Sequence, residues 1–462
     1  MNRAALILLA AGLAGCSLQP RYVQPQLPTP ASWPAGDPYL QQSEAALPRV
    51  SYRDVFTDPR LQALMEQALA GNRDLRAAAA NILAARAQYR IQRADRLPQI
   101  DAHGRYTRTG GGSNANVETY AADVAVTAFE LDLFGRVRSL SDAALNRYFA
   151  TEAAARATRL TLLGDVAEVW LTYAADATLL KIAQDTATSA ESSVRLTQAR
   201  LQGGIAPRTD LRQAETVLAA AQADVAALRT ALAQDLNALQ LLLGSPVDPA
   251  LMPASIQDAS HGLQSLPVGL PSDVLLRRPD VLQAEYALRA ANAEIGAARA
   301  ALFPTISLTG ALGYASPSLS SLFEDGTFTR SFSPSAAYPI FRAGAGLSGV
   351  SASKAQRDAA LAAYEKAIQA GFRETADALA RQGTIAEELA ATQTQVEAAQ
   401  DTMRLTEARY RGGVDPFLAS LVAQRSLYTA QRSYVASQFS AAVNRVDLYR
   451  AVGGDDGATG PS

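Results

Sequence analysis

The chain has 462 residues, 19% of them charged, and a formal net charge of −2, a balance that gives no reason to expect nucleic acid as a partner. A single cysteine, Cys16, excludes an intrachain disulfide, and two histidines (His103 and His261) with four methionines leave few ligands for a soft-metal site. Past the first sixteen residues no run approaches the ~18–20 apolar residues of a membrane-spanning helix, so any membrane crossing must use strands.

Met1-Asn2-Arg3 is a short positive start and Ala4 to Leu13 an apolar stretch, so residues 1–15 are expected to be a secretory signal rather than structure. Cys16, directly after Leu13-Ala14-Gly15, closely resembles the cysteine of a bacterial lipobox. That implies cleavage before Cys16, a diacylglycerol on its sulfur and an acylated new N-terminus. The other reading is an ordinary signal cut with Cys16 incidental. Acyl chains at ~0.8 kcal/mol per buried CH₂ would hold the chain firmly to a bilayer. Ser17, rather than Asp, resembles the next residue of lipoproteins sorted to the outer membrane. Prolines 20, 25, 28, 30, 34, 38 and 48 then predict an extended segment over 16–57, laid on a surface.

A first repeat is expected over 58–244. A short helix spans about Asp58 to Ala70, and Asn72 caps a second one that Leu97-Pro98 ends. Two strands follow, ~99–108 and ~117–133. Ile100, Ala102, Gly104 and Tyr106 alternate with Asp101, His103, Arg105 and Thr107. Ala122, Val124, Val126 and Ala128 alternate with Ala121, Asp123, Ala125 and Thr127. Period 2 either side of a Gly-rich loop is a β-hairpin. It fits a half-buried soluble hairpin, or an outer-membrane one with its apolar face on lipid and its polar face on a water-filled lumen. After Asp132-Leu-Phe-Gly-Arg136, residues 136–202 run without a proline, with Val166, Val169, Trp170, Tyr173 and Leu180 at helical spacing. That rod is on the order of 100 Å long and stops at Gly203-Gly204. A return helix from about Thr209 to Leu243 carries a seam at Val225, Leu228, Leu232, Leu236, Leu239 and Leu243.

A proline-rich linker, 245–272, separates this unit from its copy, 273–452. Asp280 to Leu302 aligns with 74–96. Strands ~305–314 and ~328–341 repeat the hairpin, and Pro339-Ile-Phe-Arg-Ala-Gly344 stands where 132–136 stood. A second rod runs from about Ala345 to Arg411, with a return helix from about Pro416 to Val452. Residues 196–205 and 405–414 match at six of ten positions. The tail 453–462 is expected to be disordered. Four membrane-length strands cannot close a barrel, and lipid tolerates no open sheet edge, so copies of the chain must share one around a cyclic axis.

The lipobox, the duplicated helix–hairpin–long helix–return helix plan, Leu-Pro or Phe-Pro before each first strand, and the paired Ala-Arg-x-x-Gly-Gly tips resemble the outer membrane factor family. That is the TolC/OprM-like group, in particular its lipoprotein branch. The resemblance covers essentially the whole mature chain. It implies a mainly α fold with a transmembrane β-barrel contribution: a homotrimer with a twelve-stranded barrel in outer-membrane lipid and a twelve-helix periplasmic α-barrel. It implies as partners a periplasmic adaptor (membrane fusion) protein and an inner-membrane pump of the RND type, and as function the passive export of drugs or other toxic solutes.

Gly203, Gly204, Gly412 and Gly413 are helix stops at the least, and on this reading the tips where the adaptor docks. Arg200, Asp210, Arg409, Tyr410, Arg411 and Asp415 lie beside them. They are either solvated helix ends or a gate whose ion pairs and hydrogen bonds hold the tunnel mouth closed. Family members often carry an acidic residue where this chain has Val422, so an apolar constriction is expected at that level instead of an aspartate ring. Gly344-Ala-Gly346-Leu-Ser-Gly349 matches G-x-G-x-x-G, but it follows an antiparallel hairpin strand and opens a very long helix, so it is a barrel-to-rod joint. No catalytic motif occurs, and neither an enzyme nor a cofactor is expected. The alternatives are a duct for type I protein secretion or metal efflux, and a structural coiled-coil surface lipoprotein.

Overall fold

The computed structural model describes residues 17–26, 28–30, 33–34, 39, 51–110, 117–264 and 272–454. The signal, Cys16 and the tail beyond 454 lie outside the described residues. The helices are α1 (Tyr52–Val55), α2 (Pro59–Gly71), α3 (Arg73–Ala94), α4 (Arg136–Gln202), α5 (Arg208–Leu243), α6 (Ile256–Ser260), α7 (Pro279–Ala300), α8 (Ala345–Arg411) and α9 (Phe417–Ala451). The strands are β1 (Ile100–Thr109), β2 (Val117–Leu131), β3 (Thr305–Ser316) and β4 (Phe328–Ala337). The duplication is written in the backbone itself. Both rods are 67 residues long. The left-handed glycines Gly135, Gly204 and Gly244 of the first half recur 209 positions later as Gly344, Gly413 and Gly453.

One compact unit comprises Met1–Gln26, Ala79–Ala153 and Leu282–Lys366. Its sheet is antiparallel in the order β1-β2-β3-β4, so β2 and β3 stitch the two halves of the chain together. Strands β2 and β4 end at Leu131 and Ala337, short of the expected 133 and 341. The expected alternation in β2 also fails after Val126. Val126 pairs with Gly310, but the next partners are Phe129 and Leu308. Thr127 and Ala128 form a bulge, in which Ala128 takes φ 51 and its N–H donates to Thr309 Oγ1 at 3.1 Å. The extra residue shifts the parity, so Phe129 and Leu131 stay on the face of Val124 and Val126. That face carries Ile100, Tyr106, Leu312, Phe328 and Phe332. The other carries Asp101, His103, Arg105 and Asp123, with His103 Nδ1 3.2 Å from Asp123 Oδ1.

Beside the sheet α7 packs on the start of α4. The rings of Phe149 and Tyr286 are 5.3 Å apart, Arg147 pairs with Glu294, and Phe134 stacks on Phe303 at 4.7 Å. The proline-rich segment lies extended along α7, as its composition requires. Arg299 donates to the Leu18 carbonyl at 3.2 Å and Asn292 to the Pro20 carbonyl at 2.8 Å. Tyr22 donates to Glu285 at 3.1 Å beneath the Arg289 guanidinium.

The other unit comprises Leu27–Ala78, Ala154–Val281 and Ala367–Ser462. Two of its segments are folded where extended chain and linker were expected. Ser51 opens α1 with a capping box, and α6 in the 245–272 stretch buries Ile256 and Ala259. Both join a core of Val166, Trp170, Leu171, Leu239, Val446 and Tyr449, so at this level rods and return helices are packed on one another within one chain. Trp170 Nε1 donates to the Leu251 carbonyl at 3.1 Å, and Phe56 meets Tyr449 edge-on at 5.2 Å. Arginines pin the rim. Arg278, 8% exposed, donates to the Ala451 carbonyl and pairs with Asp280 and Glu374. Arg450 pairs with Asp165 and Glu168.

Two expectations follow. A Cβ at Gly164 would stand 1.9 Å from Arg450 Nε, so Gly164→Ala must push the guanidinium off its carboxylates. Because a flexible side-chain end can move and alanine is the better helix former by about 1 kcal/mol, the net change should stay within about 1 kcal/mol in denaturant unfolding followed by circular dichroism. Asp235 Oδ2 is buried with no hydrogen-bond partner among the described residues, and burial with the nearby Asp176 charge raises its pKa from 3.8 to about 6. Between those pH values the folded chain holds a proton that the unfolded chain has released, so stability falls as pH rises through the window. Asp235→Asn should therefore raise the melting temperature at pH 7.5, and the gain should vanish near pH 4.

Candidate functional site

Both rods end in the same backbone device. Gly203 N–H donates to the Ala199 carbonyl and Ile205 N–H to the Arg200 carbonyl, each at 3.0 Å. Gly412 N–H donates to Ala408 and Val414 N–H to Arg409, each at 2.9 Å. The chain then reverses through Gly204 and Gly413, at φ 75 and 74, where a side chain would cost ~1 kcal/mol or more. Pro207 and Pro416, whose missing N–H is no loss there, lead into α5 and α9. A Cβ at Gly204 or Gly413 would meet nothing within 4 Å, and Ile205 and Val414 beside them are 76% and 65% exposed. Each tip is therefore an open, apolar-ended loop.

The structure brings some of the sequence-picked residues together and separates others. Arg200 reaches from the first tip to the second, donating to the Tyr410 and Arg411 carbonyls at 3.1 Å each. Its guanidinium also lies 4.4 Å from the Tyr410 ring centre. It caps the C-terminal end of α8, where a cation is favoured by the helix dipole. Tyr410 is buried against Phe417, ring centres 5.3 Å apart. Burial pushes its hydroxyl pKa up, Arg200 pulls it back, and Asp210 adds a smaller upward push. Arg409 and Asp415 form a two-bond ion pair at 2.6 and 2.9 Å inside the second tip, which holds the Asp415 carboxyl below its usual range. Arg411 pairs one turn back along its own helix with Glu407. Asp210 makes no side-chain hydrogen bond or ion pair among the described residues. Val422 is 55% exposed, as is Leu418 one turn before it, so α9 presents an apolar stripe at this level.

Sequence reasoning missed what holds the two tips to each other. Ala214, Tyr410, Phe417 and Leu421 form a small buried cluster, flanked by Val194, Leu196 and Val217. The signal was available in the places where the duplication breaks. Shifted by 209, Leu201 becomes Tyr410, Ala206 becomes Asp415 and Arg208 becomes Phe417. Arg200 and Arg409 are equivalent positions, yet only Arg409 has a carboxylate in its own loop. Arg200, facing Ala206, is left to bridge.

Among the described residues no helix is long and apolar enough to cross a membrane, and no group of His, Cys, Asp and Glu could hold a metal ion. A family model described as outer membrane efflux protein matches residues 64–245 and 270–454. Over 451 residues the chain is 43% identical to two proteins of Pseudomonas putida, the toluene efflux pump outer membrane protein TtgC and the antibiotic efflux pump outer membrane protein ArpC. Each alignment covers 96% of this chain and 93% of the relative. The open-state MtrE outer membrane channel of Neisseria gonorrhoeae superposes with a TM-score of 0.86 at 35% identity, over 95% of this chain and 98% of that one. The rods and strands are thus those of a known channel architecture, an α-helical tunnel with a β-barrel domain, and the chain belongs to the outer membrane efflux protein family.

Proposed function

We propose that three copies of this chain form the exit duct of a tripartite efflux system, passing antibiotics and apolar solvents delivered by an inner-membrane pump through a periplasmic adaptor. The observation that carries this reading is the pair of like-built tips, each an exposed apolar residue behind a glycine turn. The names of the relatives support antibiotics and toluene-like solvents as cargo over secreted protein or metal. The chain itself is a passive conduit without catalysis, anchored through an acylated Cys16.

Gly203-Gly204-Ile205 and Gly412-Gly413-Val414 are the adaptor contacts, twice per chain and six times per trimer. Substituting Ile205→Asp with Val414→Asp should leave a heat-stable trimer in the outer membrane that neither retains the adaptor on co-purification nor restores solvent tolerance to a strain lacking the gene. Full tolerance in that variant would remove the tips from docking.

Arg200 is the gate residue of first rank, with Tyr410, Asp210, Arg409, Asp415 and Arg411 around it. Its carbonyl bonds and ring contact are each worth about 1 kcal/mol, so three copies bias the closed mouth by several kcal/mol, within reach of adaptor binding energy. In planar bilayers Arg200→Ala should raise resting conductance roughly tenfold or more. Arg411→Ala, which removes a pair within one helix, should change it little. An Arg200→Ala pore that stays as closed as the wild type would end the gate assignment.

A further inference from the structure

We propose that the outer end of the sheet's apolar face binds a phosphorylated glycolipid of the outer leaflet, with Arg330 taking the phosphate and the hollow beside Gly310 taking an acyl chain. This rests on the chain's place in the outer membrane and is independent of what the tips do.

The depth of the site follows from the strand register. Tyr106 pairs with Tyr120, and Tyr314 with Phe328, all on the apolar face at the end away from the helices. Their rings touch, at 4.9 Å between Tyr106 and Tyr120 and 5.7 Å between Tyr314 and Phe328. An aromatic belt of this kind sits at the headgroup level of a bilayer. Arg330 lies one step inward of it, opposite Leu312 and between Phe328 and Phe332 along β4. It is exposed, and its side chain has no hydrogen bond or ion pair among the described residues. A neighbouring copy brings it no partner through β1, whose residues on this face are Ile100, Ala102, Gly104, Tyr106 and Arg108, without a carboxylate. A guanidinium so placed must snorkel outward along its stem, and at that level the anions on offer are lipid phosphates.

Inward of Arg330 the face is hollow. Ile100, Val124, Val126, Leu312 and Phe332 surround Gly310, which supplies no side chain to fill the space. The fold does not require that glycine. A Cβ there would meet nothing closer than the Ser331 carbonyl at 3.7 Å, whereas at Gly313 in the same strand it would strike the Ala122 carbonyl at 2.3 Å. Gly310 pairs with Val126 at the edge of the β2 bulge, a usual place for a strand glycine, and the missing side chain leaves room on this face for another molecule to come close. A cation on the outer rim and an apolar trough running inward match an amphiphile with its phosphate up and its chains down. In the outer leaflet of an outer membrane that amphiphile is of the lipid A class.

The test uses the detergent-purified trimer and lipid A as the probe, read by thermal shift and by native mass spectrometry of retained lipid. Lipid A should stabilise the wild type, while dephosphorylated lipid A and inorganic phosphate should not. Arg330→Gln should weaken binding at least tenfold and Arg330→Lys much less. Arg108→Gln, beyond the belt, should leave it unchanged. Gly310→Val, which fills the trough and keeps the charge, should weaken it comparably in a trimer that still resists heat on a gel. Equal lipid retention by Arg330→Gln and wild type would overturn the site. So would free phosphate matching lipid A, since a bare charge effect needs no trough, and phosphatidylglycerol matching it would overturn the assignment to a glycolipid.

Discussion

Everything in this molecule answers to one rule: in hydrocarbon a backbone N–H or C=O without a partner costs several kcal/mol, and no water is there to help. A four-stranded sheet with β1 and β4 as its edges breaks that rule along two whole strands. Asp101, Arg105 and Arg108 on β1 and Pro334 on β4 are devices that blunt an edge in water, but in hydrocarbon they leave the N–H and C=O groups of both edges unpaired. The chain is therefore incomplete as a monomer in lipid and complete only in a ring of copies. The same rule operates at the scale of one residue. The β2 bulge withdraws Ala128 from the ladder, and Thr309 Oγ1 takes up its N–H. In return the bulge lets the fifteen residues of β2 keep one apolar face.

Duplication supplies the parts of the ring, but the two halves are not interchangeable, and the differences are concentrated where they have a use. Helices α3 and α7 have the same length, yet α3 has no buried residue, while α7 buries Leu288, Ala293 and Ile295 among others. Of these two helices, only α7 receives the extended N-terminal segment among the described residues. Asn292, Gly296 and Arg299 receive it, and a Cβ at Gly296 would stand 2.8 Å from Gln19 Cα. At the corresponding positions of α3, Arg93 matches Arg299, but Arg86 and Arg90 replace Asn292 and Gly296, and their bulk and charge offer no such notch. One N-terminus per chain can thus choose between two quasi-equivalent helices, which reduces a sixfold pattern to a threefold one.

Much of this was legible in the sequence, for physical reasons that differ by element. The rods and their stops were readable because a helix without proline and a Gly-Gly stop are local facts; Arg136–Gln202 and Ala345–Arg411 fall where periodicity put them. The bulge was not readable from alternation, although Phe129 and Leu131, out of phase with Val124 and Val126, carried the hint. The short helix Ile256–Ser260 was hidden by the prolines on either side, because its reason for folding is the distant core of Trp170 and Tyr449 and not its own propensity. At the tips, composition named the right residues but not their partners. Whether Arg200 meets Asp210, Asp415 or a carbonyl is set by the packing of four helices, and only the mismatch of Ala206 with Asp415 pointed at the answer.

The rods must also be firm in one place and yielding in another, and the distribution of buried residues shows how one helix does both. Around Trp170 the core is broad and its rim is fixed by Arg278 and Arg450, each held by more than one partner. Roughly thirty residues further along α4, ~45 Å at helical rise, cohesion rests on Ala214, Tyr410, Phe417 and Leu421 and on the reach of Arg200. Local opening free energy follows buried contact, so it falls steeply between these two levels. Parting the helices at the tips therefore disrupts only the small cluster, while disturbing the Trp170 level disrupts the broad core of the unit. The tip cluster is as dry as the Trp170 level, with Phe417 2% and Tyr410 5% exposed, but it is four residues wide, so what differs between the two levels is the extent of the buried contact and not its depth.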